Sequence, residues 1–162
     1  MTDRLTITLA QLNPVVGNVS GNIDKVRDVR RQAAKVGADL IACSELVVSG
    51  YPPEDLVMKP FFLDKVTAAV TAFAAETSDG GPAVLLTAPW RDDERTFNAV
   101  LLLDGGDVTA VRYKHDLPNY GVFDEVRVFD AGPMPGPMDF RGVRIGVPIC
   151  EDIWTPDVPE CL

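Results

Sequence analysis

The sequence predicts an α/β domain in which helices cover a sheet face. Three observations carry that prediction. Short β-branched apolar runs alternate with two longer stretches at helical period, in the order strand, helix, strand, helix, strand. A glycine-bearing hairpin follows the third strand. Three strand-like runs end on Glu45, Lys114 and Cys150, so side chains with chemistry collect at strand ends.

Each element has its own signal. Leu5 to Gln11 alternates apolar and polar residues and reads as the first strand. Asn13 to Gly17 supplies turn chemistry. Gly21 to Val36 carries Ile23, Val26, Val29, Ala33 and Val36 close to helical period, and Gly37 supplies the stop. Its run from Arg27 to Arg31 reads as one solvated helix face. Asp39 to Ser44 is a second, more buried strand. After the Gly50-Tyr-Pro-Pro53 turn, an alanine- and valine-rich helix runs from about Lys59 to Glu76. Ala83 to Ala88 is the third strand, and Phe97 to Leu103 with Val108 to Tyr113 forms the hairpin. The Pro/Gly-dense stretch from Gly132 to Pro137 reads as an ordered loop, because strand patterns resume at Met138 to Phe140 and Val143 to Val147.

A chain of 162 residues is by default one domain, large enough for a real core. Its 24 acidic against 15 basic residues leave a net charge of -9, which weighs against a nucleic-acid partner. No secretory pattern and no bilayer-length apolar run occurs, so no membrane association is expected. Three cysteines without a CxxC pair make a disulfide framework or a zinc site unexpected. A reducing cytoplasm is the natural compartment.

The chemistry centres on Cys150. A buried free cysteine is ordinarily a small inert hydrophobe. Here the apolar run Val143 to Ile149 delivers it to a strand end, directly before Glu151 and Asp152, a setting suited to a nucleophile. Such a thiol needs a neighbouring base or cation to ionise. His115, the only histidine, follows Lys114 directly, so its side chain should diverge from the lysine's and pack or face solvent. Cys43, within the second strand, and Cys161, in the tail, attract no role. Glu45 alone would read as a solvated turn residue, but the Gly50-Tyr-Pro-Pro53 turn can tuck it into a partly apolar pocket suited to proton transfer. Lys114 alone would read as a surface amine, yet the segment from Lys114 to Phe129 interleaves aromatics and charges as a site wall does.

Taken together, these segments resemble the Glu-Lys-Cys motifs of the nitrilase (carbon–nitrogen hydrolase) superfamily. Within it they are most similar to the N-terminal glutaminase domain of glutamine-dependent NAD synthetases. The resemblance rests on Glu45-Leu46 with Gly50-Tyr-Pro52 and Glu54-Asp-Leu56; on Lys114 with Leu117-Pro-Asn-Tyr120 and Val122 to Arg127; and on Gly146 with Ile149-Cys-Glu-Asp-Ile-Trp154. Val128 departs from it, since an aromatic is expected before Phe129.

The resemblance implies an αββα sandwich, incomplete at the C-terminus. Residues 1–162 would be the N-terminal part of the glutaminase domain, with the synthetase domain absent. Cys150 would attack the carboxamide of L-glutamine, Glu45 would move protons, and Lys114 with the backbone N–H of Glu151 would hold the oxyanion. Tyr120, Glu125 and Glu151 are the implied substrate-binding residues, Glu125 being also able to orient Lys114. The glutaminase half would need no cofactor, and ATP and Mg would belong to the synthetase domain. That domain is the expected partner, in a homo-oligomer when complete.

Two other readings stay open: a stand-alone hydrolase of small amides, and a non-catalytic truncated chain or subunit. Only twelve residues follow Cys150, so elements walling one side of the site are expected to be absent and the chain alone to release little ammonia.

Overall fold

Parallel pairing begins the fold. The computed structural model describes residues 4–162. Strand β1 (Ile7–Ala10) leads through helix α1 (Val19–Lys35) to β2 (Leu40–Cys43), and helix α2 (Pro60–Glu76) leads to β3 (Ala83–Asp92). β1, β2 and β3 run parallel, with Ile7 opposite Leu40 and Leu40 opposite Ala83. Then β4 (Arg95–Asp104) and β5 (Asp107–Tyr113) add antiparallel, giving one sheet in the order β1-β2-β3-β4-β5. The period-2 alternation sorts its side chains. Ile41, Val84, Leu86, Leu101 and Leu103 face α1 and α2, whereas Leu40, Leu85, Val100 and Leu102 belong to a second cluster on the other face. Strands buried on both faces explain the unbroken apolar runs in β3 and β4.

α1 starts at Val19, two residues before the expected start, because the Asn18 carboxamide caps it by accepting from Gly21 N at 3.2 Å. Val19, Ile23, Val26 and Ala33 form its buried stripe. Its arginine run is not a uniformly solvated face. Arg30 is 7% exposed, donating to Asp79 at 2.6 Å and to the Pro82 carbonyl at 2.8 Å, and so ties α1 to the entry of β3. Helix α2 buries Phe62, Leu63, Val66, Val70 and Phe73, each worth about 1.5–3 kcal/mol over exposure.

Two strand expectations need correction. The third strand does not stop at Ala88; it continues to Asp92 and pairs with β4 through a tight Asp93-Glu94 turn. Pro89 is tolerated because pairing with β2 ends at Leu85, leaving a free side. Nor does a buried strand run from Val143 to the cysteine. Met138–Phe140 (β6) and Val143–Ile145 (β7) make a separate two-stranded ribbon. β7 is exposed at Val143, and Gly146 and Pro148 end the ladder before Cys150.

This ribbon, with Ile149, packs Met138 and Phe140 onto the second sheet face. Among the described residues the second β layer of the expected sandwich is that ribbon alone. It leaves Ile7 46% and Leu9 68% exposed on β1. A five-residue helix, α3 (Asp157–Cys161), closes the described chain.

Candidate active site

Glu45 leaves the end of β2 in a turn whose following residues, Leu46 to Ser49, are fully buried. Thr87 of β3 fastens this turn: its hydroxyl accepts from Val47 N at 2.9 Å and donates to the Ser44 carbonyl, and its own carbonyl accepts from Val48 N at 3.1 Å. Gly50, at φ +76, ends the turn where a Cβ would meet the Val16 backbone at 2.8 Å, so a side chain there would displace the loop that aims Tyr51.

Lys114 follows β5, and its N–H donates to Asn98 O at 2.8 Å. Gly132 packs against it, donating its own N–H to Lys114 O at 2.7 Å; a Cβ on Gly132 would come within 2.6 Å of Tyr113. The Pro/Gly-dense loop is therefore ordered and holds the lysine from behind. The Lys114 side chain is fully buried. Its Nζ donates to Glu45 Oε1 at 2.7 Å and to Glu125 Oε2 and Oε1 at 2.8 and 3.0 Å. Burial alone would pull the lysine's pKa down, but the two carboxylates outweigh it and hold it above the usual range. Glu125 is 5% exposed, and burial raises its pKa, opposed by the Lys114 ammonium.

Cys150 opens a single 3-10 turn (Cys150–Ile153) with φ +46, a left-handed backbone rare for a residue with a Cβ. Its thiol is reached by solvent yet partly screened by its neighbours. That screening, and then the negative charge of Glu45, raise its pKa against the pull of Lys114. The resting group is a thiol beside a carboxylate, not a preformed thiolate. Glu45 Oε1 already accepts from Lys114 and, at 2.7 Å, from Asn98 Nδ2, which leaves Oε2 to receive a proton.

The structure thus brings Glu45 and Lys114, from the ends of β2 and β5, together with Cys150, from the turn that follows β7. Glu125 stands behind the ammonium, its oxygens taken by Lys114 and by the Tyr51 hydroxyl at 3.0 Å, a placement that suits orienting the lysine rather than touching a substrate. Tyr120 is 57% exposed at the rim and donates to the Glu151 carboxylate at 2.9 Å. His115 turns Nδ1 onto Gly132 O at 2.7 Å and packs. Burial drives the Cys43 thiol up to about 12 and leaves it inert.

Sequence reasoning missed Asn98 and gave no role to Tyr51 or to the fully buried Asp152, although both lie in the motifs; Asn98 and Tyr51 hold the two glutamates. The one available signal for Asn98 was a polar residue inside the apolar run from Phe97 to Leu103.

An apolar cavity of about 330 Å³ opens between the second sheet face and the segment from Ile145 to Cys150, with Glu45 and Cys150 in its wall. Among the described residues no group of three or more His, Cys, Asp and Glu side chains is placed to hold a metal ion, and no helix is long and apolar enough to cross a membrane.

Comparison with known proteins gives the family and the fold. Residues 6–160 match the family model described as carbon-nitrogen hydrolase. Over all 162 residues the chain is 46% identical to a glutamine-dependent NAD(+) synthetase of Rhodobacter capsulatus, of which it covers 29%. It is 41% identical to the Thermotoga maritima protein of that name, 97% of this chain covering 27% of the relative. Among solved structures, a glutamine-dependent NAD+ synthetase from Acinetobacter baumannii superposes with a TM-score of 0.88 at 37% identity, over 95% of this chain and 29% of that one. An amidase from Nesterenkonia sp. superposes at 0.78 with 25% identity, over 95% of this chain and 58% of that one. The chain thus spans less than a third of the synthetases and over half of the amidase.

Proposed function

Because this chain belongs to the carbon–nitrogen hydrolase family, we propose that it is the N-terminal part of the glutamine-hydrolysing domain of a glutamine-dependent NAD synthetase. One observation carries the chemistry: a buried ammonium 2.7 Å from a carboxylate, with a protonated thiol beside both.

The Cys150 sulfur bonds to the carboxamide carbon of L-glutamine while its proton passes to Glu45 Oε2. The carbonyl electron pair moves onto oxygen, and the Lys114 ammonium and the Glu151 N–H stabilise that charge as it forms. A full charge in a dry pocket exceeds a neutral dipole in this task. As the tetrahedral centre collapses, the C–N bond breaks and Glu45 returns its proton to the leaving nitrogen, releasing ammonia. Water then adds to the thioester, giving its proton to Glu45. The C–S bond breaks, glutamate leaves, and the same proton restores the thiol.

Glu125 keeps Lys114 in place. Tyr120 and Glu151 form a rim whose carboxylate matches the α-ammonium of glutamine and offers nothing to a plain aliphatic amide. This chemistry runs on side chains and one backbone N–H, and calls on no cofactor. ATP and Mg serve the synthetase domain, which receives the ammonia as a partner within a cytoplasmic homo-oligomer.

The likeness to the Nesterenkonia amidase favours a second reading, hydrolysis of small free amides. Ammonia and glutamate release decides between them, measured with glutamine and with propionamide on the chain joined to the downstream sequence its gene encodes. Glutamine preference abolished by Cys150→Ala supports the first reading. Equal turnover of propionamide, or glutamine turnover that survives Cys150→Ala, sinks it.

A further inference from the structure

Asp152 is fully buried two residues after the nucleophile, and both of its oxygens are fully used. Oδ1 accepts from His115 N at 3.1 Å and from Asp116 N at 2.9 Å, the two amides that follow Lys114. Oδ2 accepts from Ile149 N at 3.0 Å, the amide that precedes Cys150, and from Arg112 Nη2 at 3.0 Å. Arg112, 4% exposed on β5, also donates through Nε to the Val147 carbonyl. One carboxylate therefore joins the turn carrying the lysine, the turn carrying the cysteine, and the strand β5 that leads into the lysine.

We infer that Asp152 is a positioning residue for the amide hydrolysis: it clamps the cysteine turn onto the lysine turn so that the Cys150 thiol is held against Glu45 and Lys114. The placement needs such a clamp. β7 ends at Ile145, so no sheet ladder fixes residues 146–149, and Cys150 itself sits at φ +46. A strained residue after an irregular segment keeps one conformation only when its surroundings over-determine it. Buried charge-assisted bonds to three backbone amides and a guanidinium do so. Asp152 touches neither the thiol nor the ammonium; it acts through the backbone on either side of each.

The inference rests on Cys150 being the nucleophile proposed above, but its test needs no glutamine. A chain inert toward glutamine would refute the proposed function and leave the clamp standing. The readout is alkylation of Cys150 by iodoacetamide across pH, followed by peptide mass spectrometry with exposed Cys161 as reference. Glu45, Lys114, Glu125, Tyr51 and Tyr120 are the titratable groups whose charges couple to this thiol. Glu45→Gln removes the charge that most opposes thiolate formation, so it should move the alkylation midpoint to lower pH.

In an Asp152→Asn background, where the apposition is released, the same change should produce less than half that shift. A purely structural Asp152 would lower melting temperature without altering this coupling. An equal shift in both backgrounds, at a temperature where both proteins are folded, overturns the inference. If Asp152→Asn does not fold, amide hydrogen exchange on the unmutated chain decides. His115, Asp116 and Ile149 should then exchange at one common rate, as a single opening requires. Rates differing more than tenfold among the three overturn the clamp.

Discussion

Replacing Lys114 by methionine tests the centre of the site most directly. The substitution keeps the length of the side chain and deletes its charge. In the native protein one ammonium lies 2.7 Å from Glu45 and 2.8 Å from Glu125. Without it, two carboxylates that shared one ammonium face each other; at an effective dielectric constant of about 20 and a separation on the order of 5 Å their repulsion is roughly 3 kcal/mol. Removing one partner of a buried ion pair gives a similar figure of about 3–5 kcal/mol. For a domain of this size that is a fall in melting temperature of about 6–20 °C at pH 7.

The deficit should shrink on acidification. Burial already lifts Glu125 above the ordinary carboxylate range, and losing the cation lifts it further. A carboxylate with a raised folded-state pKa binds its proton more readily folded than unfolded. Its stabilising effect is thus present at low pH and lost as pH rises through the folded value. Urea denaturation at pH 7 and pH 5 measures both effects. A Lys114→Met chain as stable as the parent at pH 7, or a deficit identical at the two pH values, would refute the placement of a buried cation between two anions.

Other outcomes follow from the same geometry. Glu45→Gln in a glutamine-hydrolysing form should lower kcat by about 10²–10⁴, since proton transfer is lost, and should lower the melting temperature less than Lys114→Met does, because Glu125 still pairs the ammonium. Asn98→Ala removes a charge-assisted bond to Glu45 and should cost about 1.5–3 kcal/mol in urea denaturation; a neutral result would show that Asn98 does not hold Glu45. Cys150→Gly should be more stable than Cys150→Ala by about 1 kcal/mol, because φ +46 strains any residue with a Cβ. Asp79 is held at about 2 by the Arg30 guanidinium, yet its side chain is 59% exposed. Asp79→Asn should therefore cost no more than about 1 kcal/mol at pH 7, and this difference should fade as pH falls from about 4 toward 2.

The sequence by itself determined the elements whose cause is local periodicity. The alternation of Leu5 to Gln11, the stripe of α1 and the hairpin around Gly105 and Gly106 each arise from neighbours in the chain, and each element formed close to where its pattern lies. Glu45, Lys114 and Cys150 were legible too, since each stands inside a dense local motif. Tertiary structure alone decided what surrounds them. Asn98 meets Glu45, Tyr51 meets Glu125, and Asp152 meets His115 and Asp116 across long loops, only after the β3-β4-β5 register has fixed which strand ends adjoin. The backbone of Cys150 was beyond local pattern for the same reason. A left-handed cysteine after a short exposed strand is disfavoured by its own residues and is held by bonds that tie its turn to distant ones. Periodicity records which face of an element is apolar; it carries no information on which buried polar groups will find one another, and here those meetings build the site.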